Sequence, residues 1–142
     1  MENKNRRRFT RIDVRWVAEL DFGLKKYKRY LDNLSLSGFH VDETFNQSVG
    51  DFCFIRLKQA GLYINAAITG LCSVSRNDHV GIALEFHSMR LDSFVSLQNS
   101  LLNKGVDTSV LGDEFFRNEI FDLDENVILF RPYSLEGRII SP

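Results

Sequence analysis

The chain has 142 residues, 44% of them hydrophobic and 26% charged, and a formal net charge of −1. This is the balance of a soluble globular domain with a sizeable core, and with only two prolines no long disordered linker is expected. No uncharged apolar run approaches the roughly 18–20 residues that cross a bilayer and no secretory leader is read, so a cytoplasmic protein is expected, with Cys53 and Cys72 reduced and buried.

Charge is unevenly placed. Residues 1–11 carry a net +4, from Lys4, Arg6, Arg7, Arg8 and Arg11 against Glu2. Residues 105–142 carry a net −5. A basic start and an acidic end argue against a general nucleic-acid binder, basic over a whole face, and leave room for a small anionic ligand held by a local arginine group.

In chain order, the first predicted element follows the arginines. Val14, Trp16, Ala18 and Leu20 alternate with a more polar set, the period of a half-buried strand. Gly23 and the lysines after it mark a turn. A second strand is predicted from Tyr27 to Leu34, interrupted at Ser35–Gly38 and resumed at Phe39–Val41. Asn46–Asp51 reads as a loop pivoting on Gly50, and Phe52–Leu57 as a further strand. Leu62–Val74 is β-leaning, with Leu62, Ile64, Ala66 and Ile68 on one face. A turn at Asn77-Asp78 precedes a strand over Val80–Phe86. Six or so short strands joined by turns imply an antiparallel barrel or sandwich.

The period then changes. Met89, Phe94, Leu97, Leu101 and Leu102 recur at three- and four-residue steps, which predicts an amphipathic helix over residues 91–103. Asp92 suits its start and Gly105 its end. Beyond it, a short helix over Asp113–Phe121 and a strand over Val127–Phe130 are expected. Three units result: a basic arm over 1–12, a barrel with its helix over 13–104, and an acidic extension of unassigned role over 105–142.

Two short motifs carry the chemistry. Arg6-Arg7-x-x-x-Arg11 stands directly before the first strand, and Asn33-x-Ser35-x-x-Gly38 at the break between strands. An arginine fork donates two hydrogen bonds to a phosphate or to the O6/N7 edge of guanine, and its flat face stacks on a base. Asn33 and Ser35 each offer donors and acceptors. Gly38 permits a positive φ or a close approach of ligand to backbone. Taken singly, the first motif also fits a solvated basic tail and the second an ordinary turn.

Together, in this order and spacing, the two motifs resemble the PilZ family, whose paired signatures are RRxxxR and (D/N)xSxxG. Val80-Gly81-Ile82-Ala83-Leu84-Glu85-Phe86, leading into a helix, is similar to that family's last core strand and C-terminal helix, so the resemblance spans roughly residues 5–103. It implies a mainly β fold: a six-stranded antiparallel β-barrel followed by a helix and, here, a short mixed extension. It also implies a receptor for the bacterial second messenger cyclic di-GMP, often bound as an intercalated dimer. Arg6, Arg7 and Arg11 would contact guanines and phosphates, while Asn33, Ser35 and Gly38 would form the barrel-side wall. Ligand binding would order the arm and change contact with an unidentified protein partner. Alternatives are a ligand-independent adaptor of the same fold, or a barrel that binds single-stranded nucleic acid through its arm and aromatics; a homodimer stays open.

The remaining polar residues read blandly. His40, His79 and His87 are scattered, each more in keeping with a surface or barrel position than with a catalyst. Asp122-x-Asp124-Glu125 lacks the ligand spacing and glycine of a calcium loop. No Ser–His–Asp arrangement or carboxylate pair emerges, so neither enzyme activity, catalytic residue, metal nor cofactor is expected.

Overall fold

The computed structural model describes residues 9–59, 67–117, 120–124 and 126–130, with backbone alone over 121–124. Among the described residues eight strands and two helices follow one another: β1 (Ile12–Asp21), β2 (Lys26–Leu34), β3 (Gly38–Val41), β4 (Phe52–Lys58), β5 (Ala67–Asp78), β6 (Gly81–Arg90), α1 (Leu91–Asn103), α2 (Thr108–Arg117), β7 (Phe121–Asp124) and β8 (Val127–Leu129).

The first six strands run in the order β3-β2-β1-β4-β5-β6, every pair antiparallel, and β3 pairs back onto β6. The mainly β fold expected from the sequence is therefore a closed six-stranded barrel, and closure removes the open sheet edges that invite aggregation. β1 shows why its residues form a strand. Ile12, Val14, Trp16, Ala18 and Leu20 point into the core, and the residues between them face outward. β4 repeats the pattern with Cys53, Ile55 and Leu57.

The seam between β3 and β6 is unusually tight, and a glycine stands at each end of it. Gly38 pairs with Glu85, and a Cβ placed on Gly38 would lie 1.9 Å from the Leu84 carbonyl oxygen. Gly81 has φ +147 and faces Val41, whose carbonyl oxygen would lie 2.1 Å from an added Cβ. Gly38 is thus glycine because the neighbouring strand's backbone fills the space of a side chain; its φ is not among the positive ones. The turn expected at Asn77-Asp78 falls two residues later. β5 continues through Asp78, whose carboxylate accepts the Val80 N–H at 2.9 Å and is held below the usual carboxylate range by it.

α1 occupies residues 91–103 as its periodicity predicts, burying Phe94, Leu97 and Leu101. Thr69 of β5 donates its N–H to the Ser93 hydroxyl at 3.1 Å, which pins the start of the helix to the barrel. Past α1 the expectation shifts. The second helix spans Thr108–Arg117 rather than Asp113–Phe121, and Phe121–Asp124 is a strand paired with β8. Two residues hide this helix in the sequence. Gly112 depresses helix propensity at its centre, and the buried face carries a carboxylate, Glu114, three residues after Leu111. β8 in turn pairs with the end of β6, extending the sheet beyond the barrel.

Phenylalanine is used heavily, at 12 residues, and many of them form one chain of rings. Phe39 meets Phe86 at 6.0 Å, Phe86 meets Phe130 at 5.5 Å, Phe130 meets Phe94 at 5.9 Å and Phe94 meets Phe115 at 5.7 Å. The path runs from the barrel seam through α1 to α2, with tilted and edge contacts that aromatic pairs favour. Cys53 and Cys72 are buried register partners on β4 and β5, both free thiols. Burial pushes the Cys53 thiol up to about 12 and that of Cys72 well above its ordinary value, so neither is a reactive thiolate.

Candidate ligand site

β2 ends at Leu34 and β3 begins at Gly38, so Ser35–Ser37 form the turn between them. The Ser35 N–H donates to the Gly38 carbonyl at 2.9 Å, and the Ser35 hydroxyl accepts the Ser37 N–H at 3.2 Å while lying 3.0 Å from the Ser37 hydroxyl. Leu36, between them, is fully buried and anchors the turn from beneath. From the far side, Phe86 donates its N–H to the Ser37 carbonyl at 2.8 Å. Serine suits this place because its short hydroxyl replaces a backbone partner inside a tight turn.

This turn forms part of the lining of a cavity of about 180 Å³. Arg11, Asn33, Ser35 and Gly38, drawn from the two sequence motifs, all line it. Arg11 reaches it from the residue before β1, and Asn33 from β2, where it pairs with Asp13 and His40. Arg6 and Arg7 lie outside the described residues. The motifs therefore meet in space through Arg11, although their nearest members are 22 positions apart in sequence.

The sequence reading missed the cavity's opposite side. Ser75 and Arg76 of β5 and Glu85 of β6 complete the lining, along with His40 of β3. Arg76 is half-exposed and its Nε lies 3.2 Å from an Asp78 carboxylate oxygen. The lining thus holds two arginines, Arg11 and the ion-paired Arg76, and one carboxylate, Glu85, which accepts from N–H groups. His40 is a buried barrel residue whose Nδ1 lies 2.8 Å from Asp32 Oδ1. Nothing near Arg76 in sequence signals a site: it is one of several charged residues on the outer face of a strand, and only the β5–β6 pairing brings it to the turn.

A contact from the C-terminal extension also reaches the arginine segment. The Glu114 carboxylate on α2 accepts the Thr10 N–H at 2.9 Å and the Thr10 hydroxyl at 2.6 Å, both on Oε2. Phe9, one residue earlier, packs against the core. Elsewhere, His87 lies with Nε2 2.7 Å from the Ser73 hydroxyl, and burial lowers its pKa. Among the described residues no cluster of His, Cys, Asp or Glu is arranged to hold a metal ion, and no helix is long and apolar enough to cross a membrane.

The PilZ domain profile matches residues 5–103, most of the chain, and both motifs lie inside that match. The chain belongs to the PilZ domain family. PilZ domains are typically non-catalytic binding modules. Among solved structures, the inhibitor of motility MotI/DgrA of Bacillus subtilis superposes with a TM-score of 0.58 at 16% identity, over 69% of this chain and 50% of that one. This chain thus matches half the length of that protein. The PilZ domain of CeSA from a cellulose-synthesizing bacterium superposes with a TM-score of 0.52 at 11% identity, over 66% of this chain and 96% of that domain. At these identities the likeness is one of fold. No curated protein matches the chain significantly. The family match ends at residue 103, before the C-terminal extension.

Proposed function

We propose that this PilZ protein is a cytoplasmic, non-catalytic receptor for cyclic di-GMP that needs no cofactor. The observation that carries the reading is the convergence of Arg11 with Asn33, Ser35 and Gly38 on one cavity. At about 180 Å³ that cavity is smaller than the roughly 300–1,000 Å³ of a complete small-molecule pocket. It suits one wall of a site, to be completed by Arg6 and Arg7 from the other side. Cyclic di-GMP matches both halves: its phosphates and guanine edges are bidentate targets for arginine, and its bases offer faces for guanidinium stacking. Asn33 and Glu85 supply the acceptors and donors that distinguish guanine from a bare phosphate.

The signalling step in this reading is closure. Arginines close in sequence repel one another, and a dianionic ligand removes that cost and orders the segment on the barrel. The covered wall becomes a new surface for a protein partner. Titration calorimetry on the full chain tests this. Cyclic di-GMP binds the wild type, affinity falls as salt rises, and the Arg7→Ala, Arg11→Ala double variant loses binding while melting as the wild type does. A folded wild type that takes up no cyclic di-GMP at high micromolar concentration would overturn the reading.

A further inference from the structure

Glu114 is an odd residue for its position. It lies on the packed face of α2, three residues after buried Leu111 and next to Phe115, and is only 3% exposed. A leucine there would pack without the desolvation cost of a carboxylate. The carboxylate faces Thr10, 104 positions earlier, and takes both of its donors on one oxygen. Thr10 precedes β1, so no strand partner takes its N–H; the helix supplies what the barrel does not. Thr10 also sits inside the arginine motif, directly before Arg11.

The seat of Glu114 is firm. Leu111 is buried, and Phe115 packs on Phe94 of α1 at 5.7 Å. The oxygen that holds Thr10 is therefore fixed to the barrel through α1. On the other side of Thr10, Phe9 rests on the core. The root of the arginine segment is held at two successive residues, one by packing and one by a carboxylate from the far end of the chain.

We propose that Glu114 is a positioning residue for the cyclic di-GMP site: by holding Thr10 it sets where Arg11, the next residue, stands. This inference rests on the receptor reading and adds a working part to it, helix α2, which lies outside the matched residues 5–103. A segment whose root is already placed loses less conformational freedom when ligand orders the rest. The tether thus raises affinity, even though a carboxylate near an anionic ligand would by charge alone lower it.

Two measurements decide it. The first needs no ligand: in the wild type the Thr10 amide exchanges slowly with solvent deuterium by NMR, and in Glu114→Ala it exchanges fast. A fast-exchanging Thr10 amide in the wild type overturns the tether. The second is a cyclic di-GMP titration. Glu114→Ala binds about tenfold more weakly, ~1.4 kcal/mol; Glu114→Gln, which keeps an oxygen for Thr10, recovers most of that loss; and Thr10→Val adds little on top of Glu114→Ala, because the two act through one contact. Binding by Glu114→Ala as tight as wild type or tighter, equal losses in the Gln and Ala variants, or fully additive losses each overturn the positioning role. A wild type that does not bind cyclic di-GMP defeats the receptor reading and the positioning role with it, whereas the Thr10 exchange rate still decides whether the tether exists.

Discussion

The two sides of the candidate site are built by different means. The wall, Asn33–Gly38, is over-determined: a hydrogen-bonded turn, a buried Leu36 beneath it, a bond from Phe86, and a glycine pressed against the Leu84 carbonyl. At the arm root, Phe9 packs on the core and Thr10 is held by a carboxylate on a helix 104 positions away. The wall comes with the barrel, so any chain that closes β3 on β6 carries it. The hold on Thr10 can be adjusted without disturbing the barrel, because Glu114 lies in a separate element.

That contrast can be broken most severely at the wall. Gly38→Ala sets a methyl group against a backbone carbonyl that cannot move without opening the seam. It costs about 4 kcal/mol or more, read as a collapse of the urea midpoint; a variant that unfolds with the wild type would show that the seam is not the constraint described. On the arm side, Arg11→Ala leaves the barrel untouched but weakens cyclic di-GMP binding by about 2 kcal/mol, roughly 30-fold. Unchanged affinity by calorimetry would remove Arg11 from the site.

Smaller effects sharpen the comparison. Gly112 is a helical position with no atom within 4 Å of an added Cβ. Gly112→Ala stabilises α2, and the chain with it, by about 0.5–1 kcal/mol; a lowered melting temperature would contradict the helix assigned there. The smallest effect concerns His87. Burial lowers its pKa from the ordinary 6.5, so the folded protein keeps it neutral where the unfolded chain takes a proton. Its contribution is complete above about pH 6.5 and is lost as pH falls below that value. Melting curves of wild type and His87→Gln should therefore differ more in pH slope below about 6.5 than above it; parallel slopes would refute the assignment.

Much of the fold was legible because its signals are local. The alternation in β1 depends on side chains two positions apart, and α1 on steps of three and four, and both stand where the pattern places them. α2 was misplaced because its buried face pairs Leu111 and Phe115 with Glu114, and a glutamate in sequence reads as solvent-facing. A partner 104 positions away, Thr10, gives that carboxylate its hydrogen bonds. The four described motif residues were found by motif, yet the physical reason for Gly38 was not. The sequence suggested a positive φ or an approaching ligand, whereas the space is taken by β6. Arg76 and Glu85 went unread because cross-strand register, which brings them to the turn, leaves no trace in the residues around them.

The line of ring contacts from Phe39 to Phe115 bears on how the protein can be handled at the bench. A chain shortened after residue 104 keeps the whole span of the family match but loses Phe115 and Phe130, the two rings that cover Phe94. Phe86 loses a neighbour in the same cut. The shortened protein would present an uncovered aromatic surface to water, the kind of patch that drives self-association. Expression trials, crystallisation and binding assays on this protein are best run on the full chain, since trimming to the barrel and α1 would uncover that aromatic surface.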